Sequence, residues 1–334
     1  MDSRSRSELD AWLDRRVALA CLPTPVHHYP RCSERLGFEL FVKRDDLTES
    51  VASGNKIRKL EYVLHQALQR GADTLVSCGG IQSNHCRAVA WTAARAGLSS
   101  VLLLRGQAPA HATGNLLFDR LLGAQIRFHS VEEFKGIGDL GARVCEELRG
   151  QGRKPFWIPI GASTATGSLG YVRMMKEIAD AGLAFDQVYC ALGSGGTFAG
   201  ILLGHHRYGL PGEVRGIAVC DTVSYFVGET VRIQKEFQDQ YGIHLDLTGV
   251  ERWMDDRYVG DGYALNTEKE WRQLIEVARI EGLILDPVYT LKAFLGMVGQ
   301  AGEGIIRKGS RVLFVHSGGH LGLTAKNEEL ERYL

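Results

Sequence analysis

The sequence predicts an α/β protein whose open, twisted parallel sheets form two domains. Two observations predict it. Short apolar runs that end in glycine or a small polar residue alternate with longer amphipathic stretches. Such alternation of strands and helices implies right-handed crossovers and therefore parallel strand pairing. Seven candidate strands are too many for one small sheet, so we expect two α/β domains without a flexible linker.

The predicted strands and helices follow one another in a regular order. We predict strands over residues 74–78, 101–104, 125–129, 156–159, 187–191, 214–219 and 311–316. The helices predicted after the first six strands cover residues 85–96, 114–122, 131–149, 166–181, 197–206 and 223–238. Ligands of such sheets bind beyond the carboxyl ends of the strands, so we look for functional residues there.

Composition excludes several classes of partner. The 334 residues carry 39 basic and 39 acidic side chains, which does not favour nucleic acid or an anionic membrane as a partner. The longest apolar runs, such as residues 101–104, are too short to span a bilayer. Seven cysteines without framework spacing indicate reduced thiols. The N-terminal acids Asp2 and Glu8 argue against a targeting peptide, so we expect a cytoplasmic protein.

A glycine-rich turn follows the strand predicted at residues 187–191 and opens a helix. Its residues are Gly193, Ser194, Gly195, Gly196 and Thr197. Glycine permits close backbone approach, and the start of a helix favours an anion. A plain strand-to-helix turn is the alternative interpretation, but the context favours a phosphate site.

Lys56 lies at the start of a predicted helix, close to Arg58 and Lys59. A lysine is usually a solvated surface charge. In this cluster, however, repulsion allows one amine to lose its proton while another stays charged for a phosphate. An amine for an aldehyde and a cradle for a phosphate together indicate pyridoxal 5'-phosphate (PLP) as the cofactor.

Two further loops follow predicted strands. Gln82-Ser83-Asn84-His85 either caps the next helix or contacts a ligand, and Ser317 opens a third glycine loop. Cys78, His85 and Cys86 lack ligand spacing, and His316 and His320 flank a glycine turn, so we expect no metal site. The turn around Ser194 has no histidine and aspartate arrangement of a serine hydrolase.

These motifs, with Asp286-Pro287-Val288-Tyr289, resemble the D-cysteine desulfhydrase and 1-aminocyclopropane-1-carboxylate (ACC) deaminase family. The similarity covers nearly the whole chain and is especially close to plant-type D-cysteine desulfhydrases at Gly262-Tyr263-Ala264. It implies the tryptophan-synthase-β-like fold, PLP fold type II, in a homodimer. The large PLP-binding domain would comprise residues 1–56 and 170–334, and the small α/β domain residues 57–169.

The resemblance also implies a role for each matching residue. Lys56 would bind the cofactor's aldehyde covalently, Lys59 and the glycine-rich turn its phosphate, and Asn84 its ring hydroxyl. Tyr289 would lie against the ring, Ser83 would bind the carboxylate of a small amino-acid substrate, and Tyr263 would be a second active-site tyrosine. The side chains implied for the substrate are Gln82, Ser83, Asn84, His85, Tyr263 and Tyr289. Those implied for catalysis are Lys56, Ser83, Tyr263 and Tyr289.

Thr290 and Ser317 decide between the two activities of the family. ACC deaminases carry glutamate and leucine there, and the hydroxyl pair resembles the desulfhydrases. A hydroxyl leaves the pyridine nitrogen unprotonated, which is enough when a thiolate departs. The resemblance therefore implies α,β-elimination of D-cysteine to pyruvate, ammonia and hydrogen sulfide. Alternatives are deamination or elimination of ACC, D-serine or β-chloro-D-alanine, and a catalytically silent protein that binds PLP or an amino acid.

Four positions depart from the family pattern. Ser53 and Ala162 stand where glycine is usual, Leu291 replaces a glycine after Thr290, and His320 replaces a small or apolar residue. We expect Leu291 and His320 to reshape the substrate side of the site.

Overall fold

The computed structural model describes residues 9–334, so the segment 1–8, on which the targeting expectation largely rests, lies outside the described residues. The described chain forms two sheets surrounded by helices. The strands are β1 (Val26–His28), β2 (Glu39–Lys43), β3 (Thr74–Gly80), β4 (Ser99–Arg105), β5 (Gln125–His129), β6 (Pro155–Ile158), β7 (Gln187–Leu192), β8 (Glu213–Ala218), β9 (Met254–Asp255) and β10 (Arg311–Val315).

Helices connect these strands in the alternating order that the sequence predicts. They are α1 (Pro30–Leu36), α2 (Asn55–Gln69), α3 (Asn84–Arg95), α4 (Gly114–Leu121), α5 (Val131–Lys135), α6 (Ile137–Gly150), α7 (Ala165–Asp180), α8 (Gly196–Tyr208), α9 (Val223–Tyr241), α10 (Glu268–Glu281), α11 (Thr290–Gly302), α12 (His320–Thr324) and α13 (Asn327–Leu330). All seven predicted strands are confirmed. The helix predicted over residues 131–149 is instead two helices, because the chain bends at Gly136.

The smaller sheet has four strands in the order β5-β4-β3-β6, and all of its pairs are parallel. Its central strands are buried on both faces: residues 101–104 of β4 are each at most 2% exposed. A parallel sheet needs this cover on both sides, which explains why its strands are continuous apolar runs. All four strands lie inside the segment 57–169, for which a separate domain stays a prediction.

The larger sheet has six strands in the order β1-β2-β10-β7-β8-β9. Its pairs are parallel except for β1 against β2, where Val26 lies opposite Lys43. The sequence did not predict β1, β2 or β9. Two of them are edge strands of two or three residues, too short for an apolar pattern. The parallel pairing confirms the α/β fold class.

A buried ion network fixes helix α2 in the larger sheet's framework. The Arg58 guanidinium is fully buried and donates to Asp45 at 2.9 Å and to Glu177 at 2.7 Å. Lys43 also donates to Glu177, at 2.8 Å. Removing one partner would leave a buried charge uncompensated, so the network holds the first turn of α2 in one place. Lys56 lies in that turn.

Two further expectations concern the cysteines and the length of the helices. All seven cysteines are free thiols, which confirms the prediction of no disulfide framework. No helix in the described part of the chain, residues 9–334, is long and apolar enough to cross a bilayer.

Candidate active site

A cavity of about 430 Å³ lies between the two sheets, where the carboxyl ends of strands from both meet. Its wall brings together eleven of the fifteen residues predicted for the site. They are Lys56, Ser83, Asn84, His85, Gly193, Ser194, Gly195, Thr197, Tyr263, Tyr289 and Ser317. The predicted residues outside its wall are Lys59, Gln82, Gly196 and Thr290.

Lys56 projects into this cavity from the first turn of α2. Gly54 before the helix has φ +109°, and a Cβ there would lie 2.5 Å from the Ser317 carbonyl oxygen, so the turn requires glycine. The Lys56 ammonium donates to Asn55 Oδ1 at 3.0 Å. Burial lowers the pKa of Lys56 to about 8, against the opposing pull of Asp286. The amine is therefore partly neutral near physiological pH.

The cause of this lowered pKa differs from the one expected. The sequence predicts repulsion by neighbouring cations, but the Arg58 charge is neutralised by Asp45 and Glu177. Burial is the main cause for Lys56. Repulsion affects Lys59 instead. Burial, together with the positive charge of Lys56, holds the pKa of Lys59 well below its ordinary value.

The glycine-rich turn forms a polar cradle at the start of α8. Gly195 has φ +80°, and a Cβ on Gly196 would lie 2.9 Å from both Lys59 Nζ and Ser163 Cα. The Ser163 hydroxyl donates to Ser194 Oγ at 2.8 Å and accepts from the Gly196 amide at 3.3 Å. Backbone amides and hydroxyls at a helix start suit a phosphate group.

Lys59 lies behind this cradle and not on the cavity wall. It is fully buried, and its ammonium donates to the Gly161 carbonyl oxygen at 3.1 Å. Its nearness to Gly196 nevertheless places an amine directly beneath the phosphate-type turn. The role of Lys59 in phosphate binding stays a prediction, and its position beneath the turn is compatible with that role.

Ser83 and Asn84 present polar groups at the start of α3. The Ser83 hydroxyl accepts from the Cys86 amide at 3.2 Å and caps the helix, which leaves its O–H free to donate. Asn84 Oδ1 accepts from Asn115 Nδ2 at 3.0 Å, which leaves the Asn84 amide N–H groups available on the cavity side. A Cβ on Gly79 would lie 2.5 Å from Ser83 Oγ, so this strand end also requires glycine.

Gln82 turns away from the cavity. Its side-chain N–H donates to the Thr113 carbonyl oxygen at 3.0 Å, and its Oε1 accepts from the Asn115 amide at 2.8 Å. Gln82 therefore fixes the start of α4 in this structure. A substrate contact from Gln82, as the family resemblance implies, requires that these two bonds break.

His85 is buried on the cavity wall, 3% exposed. Its Nε2 lies 2.8 Å from the Ser77 hydroxyl, which itself donates to the Ile158 carbonyl oxygen at 2.8 Å. Nδ1 is buried and has no hydrogen-bond partner among the described residues. Burial, with Lys56 and Lys59 nearby, holds the pKa of His85 well below its ordinary value, so the ring is neutral.

Tyr263 and Tyr289 join their hydroxyl groups across the cavity, with 2.8 Å between the oxygens. Lys56 Nζ lies 5.9 Å from the centre of the Tyr289 ring. Burial raises the pKa of both tyrosines above the ordinary value, so both keep their protons. The Lys292 ammonium holds the loop before Tyr263 by donating to the carbonyl oxygens of Val259 and Gly262 at 2.5 and 2.7 Å.

Only one member of the predicted hydroxyl pair lies on the cavity wall. Ser317 is there, whereas the Thr290 side chain is fully buried and bonds to Asp286. Thr290 donates to Asp286 Oδ1 at 2.8 Å and accepts from the Asp286 amide at 2.7 Å. The Thr290 side chain is therefore bonded within its own loop here, and its contact with the ring nitrogen stays a prediction.

The positions that depart from the family pattern also lie off the cavity wall. Leu291 is fully buried in the core beneath the larger sheet, and His320 bonds to the Ile284 carbonyl oxygen at 3.2 Å. Leu291 and His320 therefore do not line the cavity whose substrate side they were expected to reshape. Ala162 has φ +48°, a conformation that favours glycine, which explains why glycine is usual at that position.

One group of possible metal ligands lies behind the third glycine loop. Asp46, His316 and His320 have ligand atoms within 4.8 Å of one another. Arg44 already donates to both oxygens of Asp46, at 2.8 and 2.6 Å. His316 accepts from the Gly318 amide and donates to a carbonyl oxygen. These engaged atoms fit a structural cluster.

The cavity wall also contains polar residues that the sequence did not predict, among them Asn55, Ser163 and Arg105. Asn55 contacts both Lys56 and Thr197, Ser163 completes the phosphate-type cradle, and Arg105 ends strand β4. Ser163 and Arg105 follow or end apolar strands, which is the same signal that identified the other loops. Asn55 stands directly before the predicted lysine.

Comparison with known proteins agrees with this geometry. Residues 17–318 match the family model described as "Pyridoxal-phosphate dependent enzyme". The chain belongs to this family. Its cofactor is therefore PLP, and its fold is PLP fold type II.

Individual relatives place the chain more narrowly. It is 45% identical to a putative 1-aminocyclopropane-1-carboxylate deaminase of Thermotoga maritima, over 94% of this chain and 99% of the relative. It is 38% identical to the mitochondrial bifunctional D-cysteine desulfhydrase/1-aminocyclopropane-1-carboxylate deaminase of Arabidopsis thaliana, over 94% of this chain and 80% of the relative. The solved structure of an ACC deaminase homologue superposes with a TM-score of 0.89 at 35% identity and covers both chains completely. These matches confirm the resemblance to the ACC deaminase and D-cysteine desulfhydrase family.

The described residues fit the cofactor. A partly neutral, buried lysine amine suits its aldehyde, and the cradle at Gly195, Gly196 and Ser163 is one that a Cβ would obstruct. The amide N–H groups of Asn84 would suit a ring hydroxyl. The ring would lie against Tyr289, which packs on Gly193: a Cβ there would lie 2.8 Å from Tyr289 Cε1.

Proposed function

We propose that the protein eliminates the β-substituent of D-cysteine and releases pyruvate, ammonia and hydrogen sulfide. One molecule of D-cysteine and one of water give these three products, and no redox partner is needed. The observation that carries the proposal is the presence of Ser317 on the wall of the cavity that also contains Lys56. Of the two carboxylates on the cavity wall, Asp221 lies just before helix α9 and Glu229 lies within that helix.

The character of that wall favours a good leaving group. When bound, PLP withdraws electrons from the substrate's Cα and so acidifies the Cα proton. A serine hydroxyl facing the ring nitrogen would leave that nitrogen unprotonated. The cofactor would then withdraw electrons more weakly than it would with a carboxylate at the same position. A thiolate departs readily under these conditions, whereas opening a cyclopropane requires more. D-Cysteine is therefore preferred to ACC as the substrate.

The chain's own residues provide the remaining steps. The Ser83 hydroxyl and the start of α3 would bind the substrate carboxylate. Lys56 Nζ, with its pKa lowered to about 8, would take the Cα proton, because it is partly neutral at physiological pH. Tyr289 keeps its proton, since burial raises its pKa, and would serve as a donor and not as the base. Tyr263 would hold the Tyr289 hydroxyl in place.

A substrate panel tests the proposal. The purified holoenzyme is given D-cysteine, L-cysteine, D-serine, β-chloro-D-alanine and ACC, and pyruvate, 2-oxobutanoate and sulfide are measured. We expect pyruvate and sulfide in equal amounts from D-cysteine and the highest kcat/KM for it. Faster 2-oxobutanoate formation from ACC would favour the deaminase. A visible cofactor band that amino acids shift without any keto acid would favour a silent binding protein.

The family resemblance also leads us to propose a homodimer. Light scattering on the purified protein should give about twice the chain mass of 36.8 kDa. A mass equal to one chain contradicts this proposal without affecting the proposed reaction.

A further inference from the structure

Helix α3 carries a fully buried arginine, Arg87, behind the cavity wall. It lies three residues after Asn84, so the two side chains share one face of the helix. Its guanidinium donates to Asn115 Oδ1 at 2.6 Å, to the Ser53 carbonyl oxygen at 2.7 Å and to Asn84 Oδ1 at 3.4 Å. These bonds connect one buried cation to Asn84 and to the turn before Lys56, the residues expected to hold the ring hydroxyl and the aldehyde of the cofactor.

The guanidinium fixes the orientation of two asparagine amides in turn. Arginine only donates hydrogen bonds, so the Asn115 amide must direct its oxygen toward Arg87. Its nitrogen then lies on the other side, where it donates to Asn84 Oδ1 at 3.0 Å and to the Gln82 carbonyl oxygen at 2.8 Å. Because the Asn84 oxygen is bound in this way, the Asn84 nitrogen is the end left for the cavity. An asparagine amide fits its site in either orientation, and here the donors behind it decide.

The same guanidinium also holds the turn that precedes Lys56. Its acceptor Ser53 comes directly before Gly54, and helix α2 begins at the next residue. The aldehyde and the hydroxyl of PLP are on adjacent carbons of the pyridine ring, so the groups that bind them must keep a fixed distance from each other. Arg87 bonds to the segment of Lys56 and to that of Asn84, and it therefore sets this distance.

We propose that Arg87 is a positioning residue for the cofactor and acts through Asn115, so that the N–H groups of Asn84 stay directed at the ring hydroxyl. The inference rests on the predicted contact between Asn84 and that hydroxyl, and it does not depend on the identity of the substrate. A donor at the hydroxyl oxygen stabilises negative charge there. The nitrogen that joins the cofactor to Lys56 then loses its proton at a lower pH, and the visible band of the holoenzyme reports that change.

A substitution that reverses the Asn84 amide tests the proposal. Asn115→Asp keeps an acceptor for Arg87 but offers no N–H group to Asn84, which must turn its nitrogen toward the carboxylate and its oxygen toward the cavity. We expect the pH midpoint of the visible band to rise by about 0.5–1 pH unit, the value of one hydrogen bond, as in Asn84→Ala. A wild-type midpoint in Asn115→Asp with a raised one in Asn84→Ala overturns the inference alone. A wild-type midpoint in Asn84→Ala overturns the predicted Asn84 contact as well.

A double variant separates the amide from the added charge. The carboxylate of Asn115→Asp also favours the protonated nitrogen by its charge alone. When Asn115→Asp is combined with Asn84→Ala, this charge remains but no amide is left to reverse. We expect the double variant to have the midpoint of Asn84→Ala. A further rise as large as that of Asn115→Asp alone would assign the effect to charge and overturn the inference.

The arginine itself is tested in the same titration. Arg87→Met removes the donors that fix Asn115, and we expect its midpoint to rise as well. Arg95→Met makes the same change at an exposed arginine of α3 and should keep the wild-type midpoint. A wild-type midpoint in Arg87→Met would overturn the positioning role of Arg87.

Hydrogen exchange in the wild type tests the orientation even if these variants do not fold. The chain has five asparagines, so selective ¹⁵N labelling gives few side-chain amide signals, and Asn84→Ala and Asn115→Asp assign theirs if they fold. We expect the Asn115 amide protons to be protected from exchange in the protein without PLP, and those of Asn84 to become protected only when PLP binds. Asn84 protons that are already protected without PLP would show that its nitrogen faces the protein, which overturns the inference.

Discussion

The hydroxyl oxygens of Tyr263 and Tyr289 lie 2.8 Å apart on the wall of the cavity that also contains Lys56. The two residues come from different loops, and Tyr289 packs against Gly193 of the phosphate-type turn. The pair therefore connects the loop of Tyr263 to the phosphate-type turn. Since burial raises the pKa of both phenols, the pair holds protons and does not accept them.

The first prediction separates the two tyrosines. Tyr289→Phe removes the proposed donor, and we expect kcat/KM for D-cysteine to fall by about 10²-fold. Tyr263→Phe removes only the hydroxyl that positions Tyr289, and we expect a loss of about tenfold, the value of one hydrogen bond. Initial rates of pyruvate formation measure both. Equal, wild-type rates in the two variants would show that the hydroxyl pair has no part in the reaction.

The second prediction concerns the pH dependence of cofactor uptake by Lys56. The neutral amine is the form that attacks an aldehyde, and the pKa of Lys56 is lowered to about 8. As pH rises through 8, the neutral fraction increases about tenfold between pH 7 and pH 9 and then levels off. We expect the rate at which apoprotein acquires the visible PLP band to follow the same curve.

Chemical labelling is the control for that experiment. Borohydride treatment followed by peptide mapping should find the cofactor on Lys56, and Lys56→Ala should acquire no visible band. Lys59 and Lys292 are already bound to carbonyl oxygens, so label on either contradicts the assignment. A rate that continues to rise above pH 10, as for an ordinary lysine, contradicts the lowered pKa.

The third prediction concerns Asp119, a buried carboxyl of α4 with no hydrogen-bond partner among the described residues. Burial raises its pKa to about 8, although Arg87 opposes the shift. The folded state therefore favours the protonated acid. As pH rises from about 4 to about 8, the unfolded chain releases this proton more readily than the folded one, and the free energy of unfolding decreases.

Replacing the carboxyl removes this pH dependence. We expect Asp119→Asn to have a free energy of unfolding about 1–3 kcal/mol above that of the wild type at pH 8.5. The difference should be smaller at pH 5 and should vanish only below about pH 4, where Asp119 is protonated in both the folded and the unfolded state. Urea unfolding of both proteins at the two pH values measures it. A difference that is the same at both pH values would mean that Asp119 does not titrate as described.

The extent to which the site follows from the sequence depends on how local its geometry is. Lys56 and the turn at Gly193 to Thr197 were predicted because each lies directly at a strand end or helix start, where the backbone alone fixes the position. The position of the Gln82 side chain off the cavity wall could not be predicted, because its partners, Thr113 and Asn115, lie some thirty residues away. The hydrophobic periodicity of a sequence does not show which side chains will bond to a distant loop and so lie outside a cavity.

The same distinction applies to the fold. The buried strand β4 is an unbroken apolar run, so its sequence alone predicts it. Strand β1 has two exposed histidines in three residues and is a strand only because β2 lies beside it. The positive φ of Ala162 has no sequence signal of its own, since the residue usual in this conformation is glycine.

The last prediction tests which hydroxyl faces the ring nitrogen. If Ser317 does, Ser317→Ala should shift the absorption maximum of the bound cofactor and lower kcat for D-cysteine. Thr290→Val is the matched change, because it also removes one hydroxyl but from a side chain that bonds to Asp286 behind the wall. We expect Thr290→Val to lower the free energy of unfolding by about 1–3 kcal/mol, since it leaves buried groups of Asp286 unpaired.

The two variants should therefore differ in which measurement they change. Absorption spectra and kcat respond to Ser317→Ala, and urea unfolding responds to Thr290→Val, whose cofactor spectrum should match that of the wild type. A spectral shift in Thr290→Val with none in Ser317→Ala would place Thr290 at the ring nitrogen after cofactor binding, as the family resemblance implies. It would also require that the Thr290–Asp286 bond seen here breaks when PLP enters the cavity.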